Sequence, residues 1–316
     1  MTEQHRSRKT IAGVVGAATL SLALAQPAAA GWFGWFDNDS DYAETEHPLV
    51  LVHGLSGFDD VFGFVQYFNG VPGALADEGA EVFVPQVSAA NSTEVRGEQL
   101  LEQVQNYLAT TDAEKVNLIG HSHGGPTARY VAGVAPDLVA SVSSVGGVNW
   151  GTPVADLASK GELGAIGDFF FSIVDGVSGG GGLPQDTDAA IHALSTDGSI
   201  AFNQNFPDGL PSSYCGNDGD AQANGVHYYS WGGDTIRTNL LDLSDQFLAL
   251  TGKVIDEAND GLVPACSMKL GEVISVEYDH NHLDQVNQIF GLTGRNAVDP
   301  VELYVQHANR LKNAGL

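Results

Sequence analysis

Ser122 stands in Gly120-His121-Ser122-His123-Gly124, a Gly-x-Ser-x-Gly pentapeptide. A serine hydroxyl is a poor nucleophile at neutral pH. It needs a histidine to take its proton and an acid to orient that histidine. The C-terminal half offers both. Asp260 lies in the tight polar turn Asn259-Asp260-Gly261-Leu262-Val263-Pro264, and Asp234 and Asp256 are rivals that spacing alone does not exclude. His280 and His282 both follow an apolar stretch ending at Tyr278, and either fits the base on pattern. An acyl-transfer intermediate also needs two N–H donors for its oxyanion. One is expected from His123, the residue after the nucleophile. The other is expected from the glycine-rich loop His53-Gly54-Leu55, at Leu55. The chemistry these residue types can do together is ester cleavage through a covalent serine intermediate.

These groups need elements to hold them. The run Val116-Asn117-Leu118-Ile119 reads as a strand entering Ser122, and Pro126 suits the first turn of a helix leaving it. Ala128, Val131, Ala132 and Ala135 then recur at helical spacing. Such a strand–turn–helix exposes the serine above the carboxyl end of the strand. Leu49 to Val52 reads as a buried strand leading into the His53 loop. An irregular helix is expected over Phe64 to Ala76, and a second strand over Glu81 to Pro85. Asn91 to Glu94 has the spacing of a capping box, ahead of a helix carrying Leu100, Leu101, Val104 and Leu108. Further strands are expected at Val139 to Val148, Val226 to Trp231 and Gly271 to Tyr278. Alternation of this kind predicts a mostly parallel sheet with helices on both faces.

Composition bounds the function. Arg6, Arg8 and Lys9, the apolar Ile11 to Ala25 and the small-residue end Ala28-Ala29-Ala30 read as a secretory signal over residues 1–30. Residues 31–46 form an acidic lead carrying Trp32, Phe33, Trp35 and Phe36, and the main domain is expected over 47–316. Removing the first thirty residues takes away three basic side chains and Glu3, so the net charge falls from −26 to −28. That charge argues against nucleic acid or anionic membranes as partners and suits solubility in a salty medium. The two cysteines, Cys215 and Cys266, read as a disulfide in an exported chain.

Several motifs carry a family resemblance. They are His53-Gly54-Leu55-x-Gly57-Phe58, Glu94-Val95-Arg96-Gly97-Glu98-Gln99-Leu100-Leu101, Val116 to Pro126, Asn259 to Val263, Asn281-His282-Leu283-Asp284-x-Val286-Asn287-Gln288 and His307 to Asn313. Together they resemble the bacterial family I lipases of the Pseudomonas and Burkholderia type, from His47 to the C-terminus. The resemblance implies an α/β-hydrolase fold and secreted triacylglycerol lipase activity. It implies Ser122, Asp260 and His282 as the triad and a Cys215–Cys266 disulfide. It also implies a structural calcium ion held by the carboxylates of Asp242 and Asp284 and the backbone carbonyls of Gln288 and Leu292. Partners implied are the lipid–water interface and a lipase-specific foldase met during export by a type II route.

One departure stands out. Many relatives have Gly-x-Pro-His-x-Gly after the strand following the nucleophile helix, whereas this chain has Gly147-Val148-Asn149-Trp150-Gly151. Trp150 is therefore expected to reshape the acyl pocket. A helical lid insertion is expected at about residues 156–183, where Leu163, Ile166, Phe169, Phe170, Ile173, Val174 and Val177 share helical spacing and Gly179 to Gly182 follow. Alternatives to a lipase are a short-chain esterase or polyester depolymerase with the same triad and, more remotely, a non-catalytic binding protein on the same fold.

Overall fold

Alternate residues of a strand face opposite sides of its sheet. Leu49–Val52 (β1) obeys this with every side chain buried. Leu49 and Leu51 join one apolar cluster, while Val50 and Val52 join another. Both faces are therefore covered, which is why the strand reads as a continuous apolar run.

The computed structural model describes residues 40–55, 60–61, 65–162 and 182–316. After β1 come the short hairpin strands Asp60–Val61 (β2) and Val65–Gln66 (β3), helix Val71–Asp77 (α1), strand Val82–Phe83 (β4) and helix Thr93–Thr110 (α2). Strand Val116–His121 (β5), helix Gly124–Val134 (α3) and strand Val139–Val145 (β6) follow. Helices Pro153–Ser159 (α4), Thr187–Leu194 (α5) and Thr196–Asn205 (α6) occupy the middle. The C-terminal part holds Gln222–Ala223 (β7), Val226–Gly233 (β8), Ser244–Thr251 (α7), Glu272–Tyr278 (β9), Gln288–Gly291 (α8) and Pro300–Asn313 (α9).

The main sheet has seven strands in the order β4-β1-β5-β6-β8, with β7 and β9 both paired to β8. All pairings are parallel except the β7–β8 hairpin. On one face, α1 (Val71, Leu75) and α9 (Tyr304, Ala308, Leu311) pack on Leu49, Leu51 and Ile119. On the other, α2 (Leu100, Val104) and α3 (Ala128, Val131, Ala132) pack on Val50, Val52, Leu118 and Val142. Among the described residues no helix is long and apolar enough to cross a membrane.

Several element ends differ from the sequence-based expectation. The helix expected from Phe64 begins only at Val71, because Gly70 takes a left-handed φ of 77° and Pro72 fits the first turn. The α2 cap is Ser92, whose hydroxyl accepts from the Val95 N–H, while Asn91 accepts from Ser92 N–H. Packing starts before His47: Ala43 is fully buried, and its N–H donates to the Glu78 carbonyl. Cys215 and Cys266 form a disulfide. The segment expected to be a signal, the aromatics at 32–36 and the apolar stretch Leu163 to Val177 expected to form a lid lie outside the described residues.

Candidate active site

Ser122 follows the last residue of β5 and takes φ 58°, in the left-handed region that non-glycine residues seldom enter. The turn closes because its neighbours lack side chains. A Cβ on Gly120 would lie 2.1 Å from the Gly124 carbonyl oxygen, and one on Gly124 would lie 2.1 Å from that of Val52. The Ser122 N–H donates to the Val145 carbonyl on β6, pinning the turn to the neighbouring strand. The serine is 8 % exposed at the start of α3.

The β1–β5 register sets Val52 opposite Gly120, so the loop after β1 runs beside the serine turn. A Cβ on Gly54 would sit 2.7 Å from the Ser122 Cβ and 2.6 Å from the Tyr67 hydroxyl. Only glycine lets this loop come so close. Among the described residues, neither the Leu55 N–H nor the His123 N–H donates to a backbone carbonyl.

Asp260 and His282 come together. His282 Nδ1 lies 2.7 Å from Asp260 Oδ2. A carboxylate only accepts, so Nδ1 is the ring nitrogen that donates in this bond. Asp260 is fully buried, and its charge is met by further donors. Oδ1 accepts from the Leu262 and Val263 N–H groups, and Oδ2 also accepts from Gln285 Nε2. The His282 N–H donates to the Asp260 carbonyl, fixing loop to loop. The rivals are elsewhere: Asp256 is exposed, and the Asp234 carboxyl is pushed up by partial burial and by Glu277 and Asp279. His280 Nε2 bonds the Val298 carbonyl at 2.7 Å.

His282 is placed beside the serine turn by His121. Their rings are 4.6 Å apart, and His121 Nε2 lies 3.0 Å from the His282 carbonyl oxygen. That oxygen can only accept, so Nε2 carries the His121 proton and Nδ1 accepts from the Tyr67 hydroxyl at 2.7 Å. Burial holds His121 well below the ordinary histidine range, with His282 adding to the effect. Tyr67 thus ties strand β3 and the Gly54 loop to the turn before Ser122 and the loop of His282.

Arg96 was given no role from the sequence, and it holds the Gly54 loop. Its guanidinium donates to the carbonyls of Ser88, His53 (2.6 Å) and Gly54 (3.3 Å), and its Nε to the Thr127 hydroxyl. Burial lowers its pKa to about 9, and among the described residues no carboxylate pairs with it. The signal was its spacing: Arg96, Leu100 and Val104 fall on one face of α2, four residues apart. Gln285, three residues after His282, is a further positioning residue the sequence did not single out, beside Tyr67 and His121.

The four atoms expected to hold a cation lie on two neighbouring loops. Asp242 and Asp284 are 2 % and 1 % exposed, and one oxygen of each, Asp242 Oδ2 and Asp284 Oδ1, is buried with no partner. Burial pushes the Asp284 carboxyl up to about 7, with Asp242 and Asp245 nearby adding to it. Orphaned carboxylate oxygens clustered in this way fit a hard cation. Gln288 and Leu292 bracket α8 in the same loop. A second cluster, Cys215, Cys266 and Glu257, offers no thiolate because its sulfurs are joined in the disulfide. Trp150 packs edge-on against Tyr214, next to Cys215, with ring centroids 6.2 Å apart.

A parallel sheet with a serine on a strained strand-to-helix turn, and an acid–histidine pair on later loops, defines an α/β hydrolase. The sequence profile of the alpha/beta hydrolase fold matches residues 47–163. A mature Bacillus licheniformis lipase has the same fold, with a TM-score of 0.58 at 19% identity over 77% of this chain and 89% of that one. A triacylglycerol lipase of Vibrio cholerae serotype O1 is 54% identical over 284 residues, covering 87% of this chain and 90% of the relative. One from Pseudomonas fragi is 45% identical over 294 residues, covering 87% and 99%. The chain belongs to this family of triacylglycerol lipases.

Proposed function

We propose that the protein hydrolyses triacylglycerol esters with Ser122 as nucleophile, His282 as general base and acid, and Asp260 as the group that orients the histidine. The 2.7 Å Asp260–His282 bond, on loops that flank the Ser122 turn, carries this reading. With its Nδ1 proton held, His282 offers Nε2 to the serine hydroxyl. The alkoxide forms a tetrahedral adduct at the ester carbonyl. His282 then protonates the departing glyceride oxygen, and water releases the fatty acid by the same steps in reverse order. The Leu55 and His123 N–H groups are the donors we assign to the oxyanion.

Calcium is the cation we assign to Asp242, Asp284 and the Gln288 and Leu292 carbonyls. When bound it would supply charge neutralisation between buried carboxylates and no catalytic step, since a serine needs no metal to attack. We further propose that residues 1–30 direct export and are removed, and that a foldase assists assembly outside the cytoplasm. Ser122→Ala tests the central assignment. Hydrolysis of emulsified tributyrin and of p-nitrophenyl butyrate should both fall by about 10³-fold or more, with the melting temperature unchanged. Activity surviving that substitution would refute the assignment.

A further inference from the structure

Three leucines on the segment before α7 stand almost wholly in water. Leu240, Leu241 and Leu243 are 104%, 75% and 84% exposed. Asp242, between them, points inward at 2 % exposure. The segment is braced from beneath. Asp245 Oδ2 accepts from the Thr238 and Asn239 N–H groups, each at 3.0 Å. Asn239 Oδ1 accepts from the Leu241 N–H, and its Nδ2 donates to the Thr293 carbonyl. Asp242 Oδ1 accepts from both the N–H and the hydroxyl of Ser244. Folding the leucines inward would break this set, so the backbone holds them out. Contiguous apolar side chains held in water mark a surface that meets something apolar.

Their place in the fold says where that surface faces. The segment follows the carboxyl end of β8, and Ser122 follows the carboxyl end of the parallel strand β5. Asp245 Oδ1 accepts from Asn281 Nδ2 at 2.9 Å, one residue before His282. The leucines therefore stand on the same edge of the sheet as the reacting groups. Charge narrows the occupant. The chain carries a net −26, and from Ser230 to Asp260 only Arg237 and Lys253 are basic. An anionic bilayer would be repelled, whereas an uncharged lipid surface would not.

We propose that Leu240, Leu241 and Leu243 dock the protein on the uncharged surface of acylglycerol aggregates and so present the edge bearing Ser122 to them. This rests on the triacylglycerol reading above, but it concerns binding and is testable apart from turnover. The test compares the full chain with the triple variant Leu240→Ser, Leu241→Ser, Leu243→Ser. Flotation with emulsified hexadecane and triolein is measured beside flotation with phosphatidylglycerol vesicles. Rates on soluble p-nitrophenyl butyrate, melting temperature and oligomeric state are read in parallel.

The parent should float with both neutral emulsions and not with the anionic vesicles. The variant should lose partition onto both by about tenfold or more, with soluble-ester rate and melting temperature held. Unchanged partition overturns the proposal. So does a joint fall in melting temperature and soluble rate, which would mean that the chain's own residues cover the leucines. A parent dimer split by the variant would assign the patch to a second copy instead. A parent that floats but leaves triolein intact would refute the substrate reading and leave the docking surface standing.

Discussion

At the scale of single residues, the site depends on the atoms Gly54 lacks. Its missing Cβ leaves room for the Tyr67 hydroxyl on one side and Ser122 on the other. Arg96, which is anchored on α2, draws the same loop inward through its carbonyls. Gly54→Ala should therefore displace the loop or the serine by several tenths of an ångström. A displacement of that size at reacting atoms is expensive. We expect ester hydrolysis to drop by about 10²-fold, mostly in kcat, while the fold survives, because the new methyl meets only the Tyr67 hydroxyl, the Ser122 side chain and the His121 carbonyl. Steady-state kinetics on a soluble ester beside a melting curve would check this; a fall in stability with kcat intact would contradict it. The same residues show what sequence alone can resolve. Ser122 and the His53 loop were legible because a strained turn demands glycines at fixed offsets. Asp260 against Asp234 and Asp256, and His282 against His280, were open on pattern, because pairing across loops is a tertiary fact. Arg96 was visible only as a cation on an apolar helix face.

At the scale of elements, the loop from Asn281 to Leu292 holds His282 and three of the four assigned cation ligands, Asp284, Gln288 and Leu292. It is strongly braced. The Asn281 side chain accepts from the Leu283 and Asp284 N–H groups. Asn69 and Asn287 exchange side-chain-to-carbonyl bonds at 2.8 and 2.9 Å, the latter residue at φ 56°. These bonds leave unmet the orphaned carboxylate oxygens on Asp242 and Asp284, as well as Gln285 Oε1. A ligand that binds only the folded state stabilises it by mass action. EDTA should therefore lower the melting temperature, and added calcium should restore it where magnesium does so poorly. Asp284→Asn should make melting insensitive to both. No change on chelation would refute the ion. The strands and the α2 and α3 helices were legible from period and burial, since both sheet faces are apolar. The start of α1 was not, because Gly70 and Pro72 decide it against a run of helix-compatible residues. The disulfide closes a loop of 51 residues and on the chain-entropy model contributes about 4 kcal/mol.

At the scale of the whole molecule, stability should depend on pH through buried histidines. Burial lowers His53 and His307 to about 3, and lowers His121, His123 and His280 below the ordinary 6.5. His307 shows why. Arg310 donates to its Nδ1 and its Nε2 donates to Ser143, so a second ring proton would face a guanidinium. The unfolded chain takes up protons on these rings near pH 6.5, while in the folded chain His53 and His307 do not until about pH 3 and the other three only at a pH below the ordinary value. Stability from each is therefore complete above 6.5 and is lost as pH falls through that window. The rate is about 1.4 kcal/mol per pH unit for each fully shifted histidine. Asp284 and Asp234, raised by burial, act in the opposite sense, and relief of acidic self-repulsion adds to them. Five rings outweigh two carboxyls, so the melting temperature should decline steadily below about pH 6. His307 is the residue that isolates the effect, because it packs on Trp231 and Tyr229 under α9 and touches no reacting group. Replacing it, as His307→Gln, should remove about 1.4 kcal/mol per pH unit from the slope of unfolding free energy between pH 6 and 4. Its cost at pH 8 should not vary with further alkali. Urea titrations at a series of pH values would measure both slopes, and parallel lines for parent and variant would show that His307 already titrates in the folded protein.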